Sequence, residues 1–236
     1  MNQRAPTSCT LCLHGKRGLF HVLPSRELHE LGTQKRASLY AKGQVVFHDG
    51  NSPFGLFCVY AGSVKVTKMG PVGREQTVRL ARPGDLVGYR ALFADEPYTA
   101  TAVALEDSLL CFIPRAAVLS LLPRCPALAL AVIRKLSQDL RVAEDWVRDM
   151  ALMSARQRLA EILLMLQETY GVRGKGGIRI SLPLSRQELA EMVGLATETA
   201  IRLLGEFRGR GVLSIQGREL TIRDPHTLLW ISGMKN

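Results

Sequence analysis

At 236 residues and 47% hydrophobic composition, the chain is long enough to bury a sizeable core in one or two domains. A formal charge of +10 points to an anionic partner, and five cysteines in a chain of this size argue against a secreted disulfide framework. No segment has the length and apolar purity of a membrane span, and the N-terminus lacks the apolar stretch of a secretion signal, so a cytoplasmic protein with no membrane partner is expected.

The charge is unevenly spread. Residues 1–45 hold seven Lys/Arg against two acids, residues 46–153 twelve against eleven, and residues 154–236 twelve against eight. The excess therefore sits at the two ends. Met1 to about Phe20 carries Cys9, Cys12 and His14 among polar and basic residues, with no helical or strand period. Pro24 to Leu31 reads as a short capped helix.

From Ala37 to about Ile113 the pattern is β. Apolar runs recur at Val45–Phe47, Phe57–Tyr60, Ser63–Val66, Gln76–Leu80, Thr101–Ala104 and Leu109–Ile113. Turn signals separate them at Lys42-Gly43, Asp49-Gly50-Asn51, Ala61-Gly62, Gly70-Pro71 and Pro83-Gly84-Asp85. Strands so regularly and closely spaced predict a sandwich or barrel.

Near Pro123 the pattern turns helical. Ile133, Leu136, Leu140, Ala143, Val147 and Met150 follow a 3-4-3-4-3 spacing, the two-position seam of a coiled coil, flanked by charged residues. A single amphipathic helix packed on its own domain would show a broader stripe, so this seam predicts a homodimer interface. Ala151 to Ser154, just beyond it, is the expected hinge.

Arg156 to Tyr170 reads as a helix with Leu159, Ile162, Leu163 and Leu166 on one face. Gly171 to Gly177 is glycine-rich, but no Gly-Lys-Ser/Thr follows, so a flexible surface turn is expected rather than a phosphate cradle. Ile178 to Ile180 makes a small strand. Ser185 with Glu188 three residues later is a capping-box start, followed by Leu189, Met192 and Val193 on one helical face. Gly194 can end that helix in the left-handed conformation, and a second amphipathic helix follows with Ile201, Leu204 and Phe207 as its inner side. This is a helix-turn-helix, whose second helix reads bases in the DNA major groove. Beyond it, Gly211–Ile215, a turn at Gln216-Gly217-Arg218 and Glu219–Ile222 make a hairpin with Arg218 at its tip, a candidate phosphate contact.

Ser185-Arg186-Gln187-Glu188-Leu189-Ala190 followed by Gly194-Leu195-Ala196-Thr197-Glu198-Thr199-Ala200-Ile201-Arg202-Leu203-Leu204 resembles the DNA-reading segment of the CRP/FNR regulator family, in which S/T-R-x-E/D-[IL]-[AG] leads into G-[LC]-x-x-E-T-x-x-R-x-L. Gly43, Gly50, Gly62, Gly84 and Gly88 stand where that family's β-roll has them, so the resemblance runs from about Pro24 to the C-terminus. It implies an α+β architecture: an N-terminal cyclic-nucleotide-binding-type jelly roll, a long dimerisation helix and a C-terminal winged helix-turn-helix. The expected divisions are an arm at 1–22, the roll at 23–125, the dimer helix at 126–153 and the winged domain at 154–236. The implied partners are double-stranded DNA, RNA polymerase and a second copy of the chain.

By the same resemblance, Arg202 and Glu198 make the shared base contacts. Their chemistry agrees, since an arginine fork fits guanine and a carboxylate accepts from cytosine. Spaced four apart, the two can also orient each other. Thr197 and Ile201 occupy positions that vary within the family, and Arg186 and Thr199 fall to phosphate contacts. Ala196 stands where Ser or Thr normally caps the recognition helix, which predicts a weak cap unless Thr197 serves. The family's cyclic-nucleotide pocket uses a Glu for the ribose and an Arg-[ST] pair for the phosphate. Here Tyr89 stands in the place of that Glu, and Tyr98-Thr99 lacks the Arg, which argues against cyclic AMP or GMP. Arg90 is read as part of a structural ion pair.

Oxygen-sensing members hold a [4Fe–4S] cluster through an N-terminal cysteine trio and one strand cysteine. Cys9 and Cys12 match the first two by spacing, and Cys111 matches the strand ligand. His21 stands roughly where the third cysteine belongs, after a longer gap, and histidine is known to ligate clusters. Zinc on Cys9, Cys12, His14 and His21, a redox dithiol, or no cofactor are the alternatives, since Cys58 and Cys111 also suit ordinary core packing. Two functional classes follow: a ligand- or redox-gated transcription regulator, or a metabolite- or metal-binding sensor in which DNA binding is secondary. No catalytic constellation emerges, so an enzyme is not expected.

Overall fold

The computed structural model describes residues 18–71 and 73–233. It divides into two units, one running to Arg74 and from Val78 to Val142, the other holding Glu75–Thr77 and the chain from Ala143 onward.

The first unit opens with a 3-10 turn at Leu19–Val22, followed by α1 (Ser25–Gln34). Eight strands come next: β1 (Arg36–Tyr40), β2 (Val45–Phe47), β3 (Gly55–Ala61), β4 (Val64–Met69), β5 (Glu75–Ala81), β6 (Leu86–Val87), and, after the short helix α2 (Tyr89–Ala94), β7 (Thr101–Ala104) and β8 (Ser108–Pro114). They form two four-stranded sheets, in the orders β1-β8-β3-β6 and β2-β7-β4-β5. A short α3 (Arg115–Leu119) leads to the long α4 (Pro126–Leu152).

Side chains alternate across β3 and β8, as the pleat requires. Val59 and Leu110 join Phe47, Val64, Val87 and Tyr98 in the core between the sheets. Leu56 and Ile113 point the other way, into a second cluster with Phe20, Leu23, Leu31, Leu121 and Leu128. The roll is thus packed on both faces of one sheet, with the first described turn and the start of α4 as the outer cover. Gly62, in the tight turn between β3 and β4, has φ of +83°, and a Cβ there would lie 2.7 Å from Ser108 Cα, so only glycine fits.

Four features depart from the sequence expectation. Helix α1 runs three residues past Leu31 and starts at Pro24 without a side-chain cap, so it rests on Leu31 packing rather than on capping. Helices α2 and α3 and the two-residue β6 were not anticipated, because elements this short have no readable period. Third, residues 171–177 are not a loose turn but part of a hairpin, as described below. Fourth, a helix follows the wing.

The second unit begins with α5 (Ala155–Tyr170), which Ser154 and Gln157 start with a capping box. Strands β9 (Gly171–Gly174) and β10 (Gly177–Ile180) pair antiparallel, Val172 opposite Arg179 and Arg173 opposite Ile178. Pairing supplies the order that three glycines in β9 and its turn withhold locally. Helices α6 (Arg186–Val193) and α7 (Thr197–Gly209) follow, then β11 (Leu213–Gln216) and β12 (Glu219–Ile222), which continue the same sheet in the order β11-β12-β10-β9. The last helix, α8 (Pro225–Ser232), is N-capped by Asp224, with Pro225 at its first position. Leu159, Leu163, Leu166, Leu189, Leu203, Phe207, Ile222 and Leu228 are all buried in this unit. Among the described residues no helix is long and apolar enough to cross a membrane.

Candidate nucleic-acid interface and sensor sites

Helices α6 and α7 are set by two local devices. The Ser185 hydroxyl accepts the Glu188 N–H at 3.1 Å, while the Ser185 N–H donates to the Glu188 carboxylate at 2.6 Å. At the other end Gly194, with φ of +73°, takes the left-handed C-cap position, and its N–H bonds the Ala190 carbonyl. The chain can then turn sharply into α7, whose N-cap Ala196 makes no side-chain cap.

Ala200, Leu203, Leu204 and Phe207 form the buried face of α7. Ile201, expected on that inner side, is instead 50% exposed, because the buried set repeats at positions 200, 203, 204 and 207 and leaves 201 outside it. The outward face of the first turns therefore carries Glu198, Ile201 and Arg202, with Thr197 and Thr199 half-buried beside them. Arg202 does not pair with Glu198 as expected. Its guanidinium meets Glu206 at 2.7 Å, one turn further on, and Arg156 holds the other carboxylate oxygen of Glu206 at 2.5 Å. Sequence reasoning missed Glu206 and Arg156, although the Arg202–Glu206 spacing of four was readable.

Arg186 is half-buried and donates to the Gly217 carbonyl at 2.8 Å. It ties the start of α6 to the hairpin turn, and its burial lowers the guanidinium pKa from its ordinary value. Arg218, next in the turn, is exposed.

In the roll, Tyr89 is buried at the start of α2. Its hydroxyl donates to Asp139 on α4 and accepts from Arg79, while Lys135 also pairs with Asp139. Burial pushes the phenol up to about 12. Tyr98 stacks on Phe47 with ring centroids 3.9 Å apart and donates to the Gly55 carbonyl at 3.0 Å. The Tyr98 ring is thus held in the core between the sheets. Arg90 pairs with Glu96 at 2.9 Å and donates to Thr99, which is the structural ion pair read for it. The link from Tyr89 to α4 was not visible in sequence, since Arg79, Tyr89 and Asp139 lie in three separate elements.

Along α4, Ile133, Leu140 and Val147 are 58%, 60% and 69% exposed at a spacing of seven. Ala143 is exposed too, whereas Leu136 packs against the outer cluster of the roll and Met150 is half-buried. The position of Ile133, Leu140 and Val147 therefore lies uncovered, while at the other Leu136 is shared with the roll's own cluster.

Cys9, Cys12 and His14 lie outside the described residues. His21 is exposed, and its Nδ1–H donates to the Gly18 carbonyl at 2.8 Å. Cys111, in β8, is 4% exposed and stands opposite Cys58 in β3. Cys125 is buried, with its thiol directed at the Val22 carbonyl. Among the described residues no three His, Cys, Asp or Glu side chains group closely enough to hold a metal.

A β-roll followed by a long helix and a winged helix-turn-helix defines a DNA-binding transcription regulator. The family models agree: residues 38–125 match a cyclic nucleotide-binding domain, and residues 157–229 a Crp-like helix-turn-helix domain. The chain is 30% identical over 226 residues to the anaerobic regulatory protein of Aggregatibacter actinomycetemcomitans, covering 95% of this chain and 88% of the relative. It is 30% identical over 193 residues to the fumarate and nitrate reduction regulatory protein of Vibrio cholerae, covering 82% and 77% of the two chains. The solved structure of FixK2 from Bradyrhizobium japonicum superimposes with a TM-score of 0.75 at 23% identity, over 86% of this chain and 99% of that one. The chain belongs to the CRP/FNR family of transcription regulators, and its relatives include FNR-like anaerobic regulators.

Proposed function

We propose that the chain works as a homodimer that reads a two-fold symmetric duplex site and answers to a redox signal. The observation that carries the reading is the outward face of α7, where Glu198, Ile201 and Arg202 stand exposed on the second helix of a helix-turn-helix. Arg202 forks onto a guanine, Glu198 accepts from a cytosine, and Ile201 and Thr197 set the preference around them. Thr199 and Arg218 contact phosphates, and Arg186 positions the wing that carries Arg218. Ile133, Leu136, Leu140, Ala143, Val147 and Met150 form the dimer seam, so that two α7 helices meet successive turns of the groove. RNA polymerase is the partner through which a regulator of this kind, acting in the cytoplasm, would alter transcription.

A cyclic nucleotide is not the proposed signal, because Tyr89 and Tyr98 occupy its two polar positions with packed rings. Cys9, Cys12 and Cys111 supply three thiolates suited to a [4Fe–4S] cluster, with His21 as the fourth ligand by position in the sequence. Such a cluster would bring sensitivity to oxygen and redox state. Selection of bound sequences from random duplexes tests the DNA reading. The expected result is a two-fold symmetric motif with half-site centres about 10–10.5 base pairs apart. A motif without symmetry, or no enriched motif, would remove it.

A further inference from the structure

We infer that Arg156 is a positioning residue for base reading: it holds Glu206, and so leaves Arg202 free to turn to the DNA. The inference rests on the reading of α7 proposed above and names how its guanine-reading side chain is released. Two arginines meet one carboxylate here. Within α7, Arg202 donates from Nη1 to Glu206 Oε1 at 2.7 Å. From the first turn of α5, Arg156 donates from Nη2 to Glu206 Oε2 at 2.5 Å. Each arginine thus takes its own oxygen. The side chains of Arg202, Arg156 and Glu206 are 66%, 43% and 29% exposed. The outermost group is the one that must reach a base, and the carboxylate it leaves is the most enclosed.

Helix electrostatics would place neither charge of the Arg156–Glu206 pair where it stands. The N-terminal end of a helix carries partial positive charge and favours acids, while the C-terminal end favours bases. Arg156 is the second residue of α5, and Glu206 lies in the last turn of α7. Each charge therefore opposes its own helix end, and their contact offsets both. The pair has a consequence for DNA. When Arg202 leaves for a guanine, the Glu206 carboxylate stays one turn away on the reading helix, facing a polyanion. Arg156 keeps it neutralised. Without Arg156, Glu206 would hold Arg202 more tightly and would stand uncompensated beside the phosphates once Arg202 left. On a duplex that lacks the guanine, Arg202 stays on Glu206 and the carboxylate keeps a partner. Arg156 therefore matters for the matched sequence and not for others.

The test is fluorescence anisotropy of the full chain and its variants on a selected duplex and a scrambled one, at a single salt concentration. Arg156→Ala is expected to weaken binding to the selected duplex about two- to fivefold, the magnitude of an exposed ion pair, and to leave the scrambled one unchanged. Glu206→Gln is expected to bind the selected duplex at least as tightly as wild type. Combining Arg156→Ala with Glu206→Gln should then restore all that Arg156→Ala alone loses. A plain clamp between α5 and α7 gives a different pattern, since either substitution breaks it and both would weaken binding alike. A phosphate contact made by Arg156 itself gives equal losses on both duplexes, with no rescue by Glu206→Gln. Either pattern, or an Arg156→Ala protein that matches wild type on the selected duplex, would overturn the role of Arg156 while leaving base reading by α7 in place. Wild type that does not discriminate between the duplexes would overturn both. Circular dichroism checks the fold of each sample, and if Arg156→Ala fails to fold, Arg156→Gln decides by the same comparison.

Discussion

Replacing Arg202 with alanine isolates base reading from everything else α7 does. The side chain is 66% exposed and, among the described residues, is held by Glu206 at 2.7 Å. To fork onto a guanine it must leave an exposed i,i+4 pair worth about 0.3–0.5 kcal/mol. It gains a bidentate contact worth about 1–3 kcal/mol in discrimination. The net loss in Arg202→Ala is then about 0.5–2.7 kcal/mol per half-site, or roughly 2- to 85-fold at about 1.4 kcal/mol per factor of ten. Folding should barely change, because Glu206 keeps Arg156 as its partner at 2.5 Å and the lost pair is a surface one. Fluorescence anisotropy with a selected duplex and a scrambled one, both at a single salt concentration, measures the difference. The expected outcome is weaker binding to the selected duplex, little change on the scrambled one, and relaxed preference at one G·C pair per half-site. Equal losses on both duplexes, or an unchanged base preference, would show that the outward face of α7 is not what reads the sequence.

Three other perturbations probe separate parts of the reasoning. Leu140→Glu places a charge against its symmetry mate in a dry seam, so sedimentation velocity should show a monomer with poor operator affinity, and a mutant that stays dimeric would move the interface off α4. Arg218→Ala should weaken binding to all duplexes alike and reduce the salt slope by about one, and a change of sequence preference would contradict a phosphate role. Asp224→Ala should lower the melting temperature at pH 7, because hydrogen bonds from Thr227 hold the Asp224 carboxyl below its ordinary pKa. With a depressed folded pKa, that contribution is present above the ordinary aspartate range and is lost as pH falls through the lowered value, so the difference in melting temperature between the two proteins should shrink as pH falls below the ordinary aspartate range.

The helix-turn-helix could be read from the chain because its determinants are local. Ser185 and Glu188 lie three residues apart, Gly194 needs only its own φ, and the buried residues of α7 recur within two turns. The same locality misled at Ile201, which is as apolar as its neighbours; only the packing of Ala200, Leu203, Leu204 and Phe207 shows which side faces inward. The partner of Arg202 was misjudged for a similar reason. Glu198 and Glu206 are equally spaced from it, and the choice falls to Glu206, where Arg156 arrives from α5.

Alternating apolar runs and turn glycines were enough to specify a β-roll, since strand period and left-handed turns are properties of neighbouring residues. What lies across from what is not such a property. The facing of Cys58 and Cys111, 53 positions apart, depends on the register of β3 against β8, and no pattern in either strand encodes the other. Tyr89 was legible as a departure from a nucleotide pocket, but its bond to Asp139 arises because α4 passes the start of α2. Residues 171–177 were loop-like in composition and became a strand only when β10 supplied a partner. Spacing along the chain therefore determined helices, turns and the DNA-reading motif by itself. Pairings between distant segments, which cost loop entropy and are recovered only when a whole core forms, were decided by the tertiary structure.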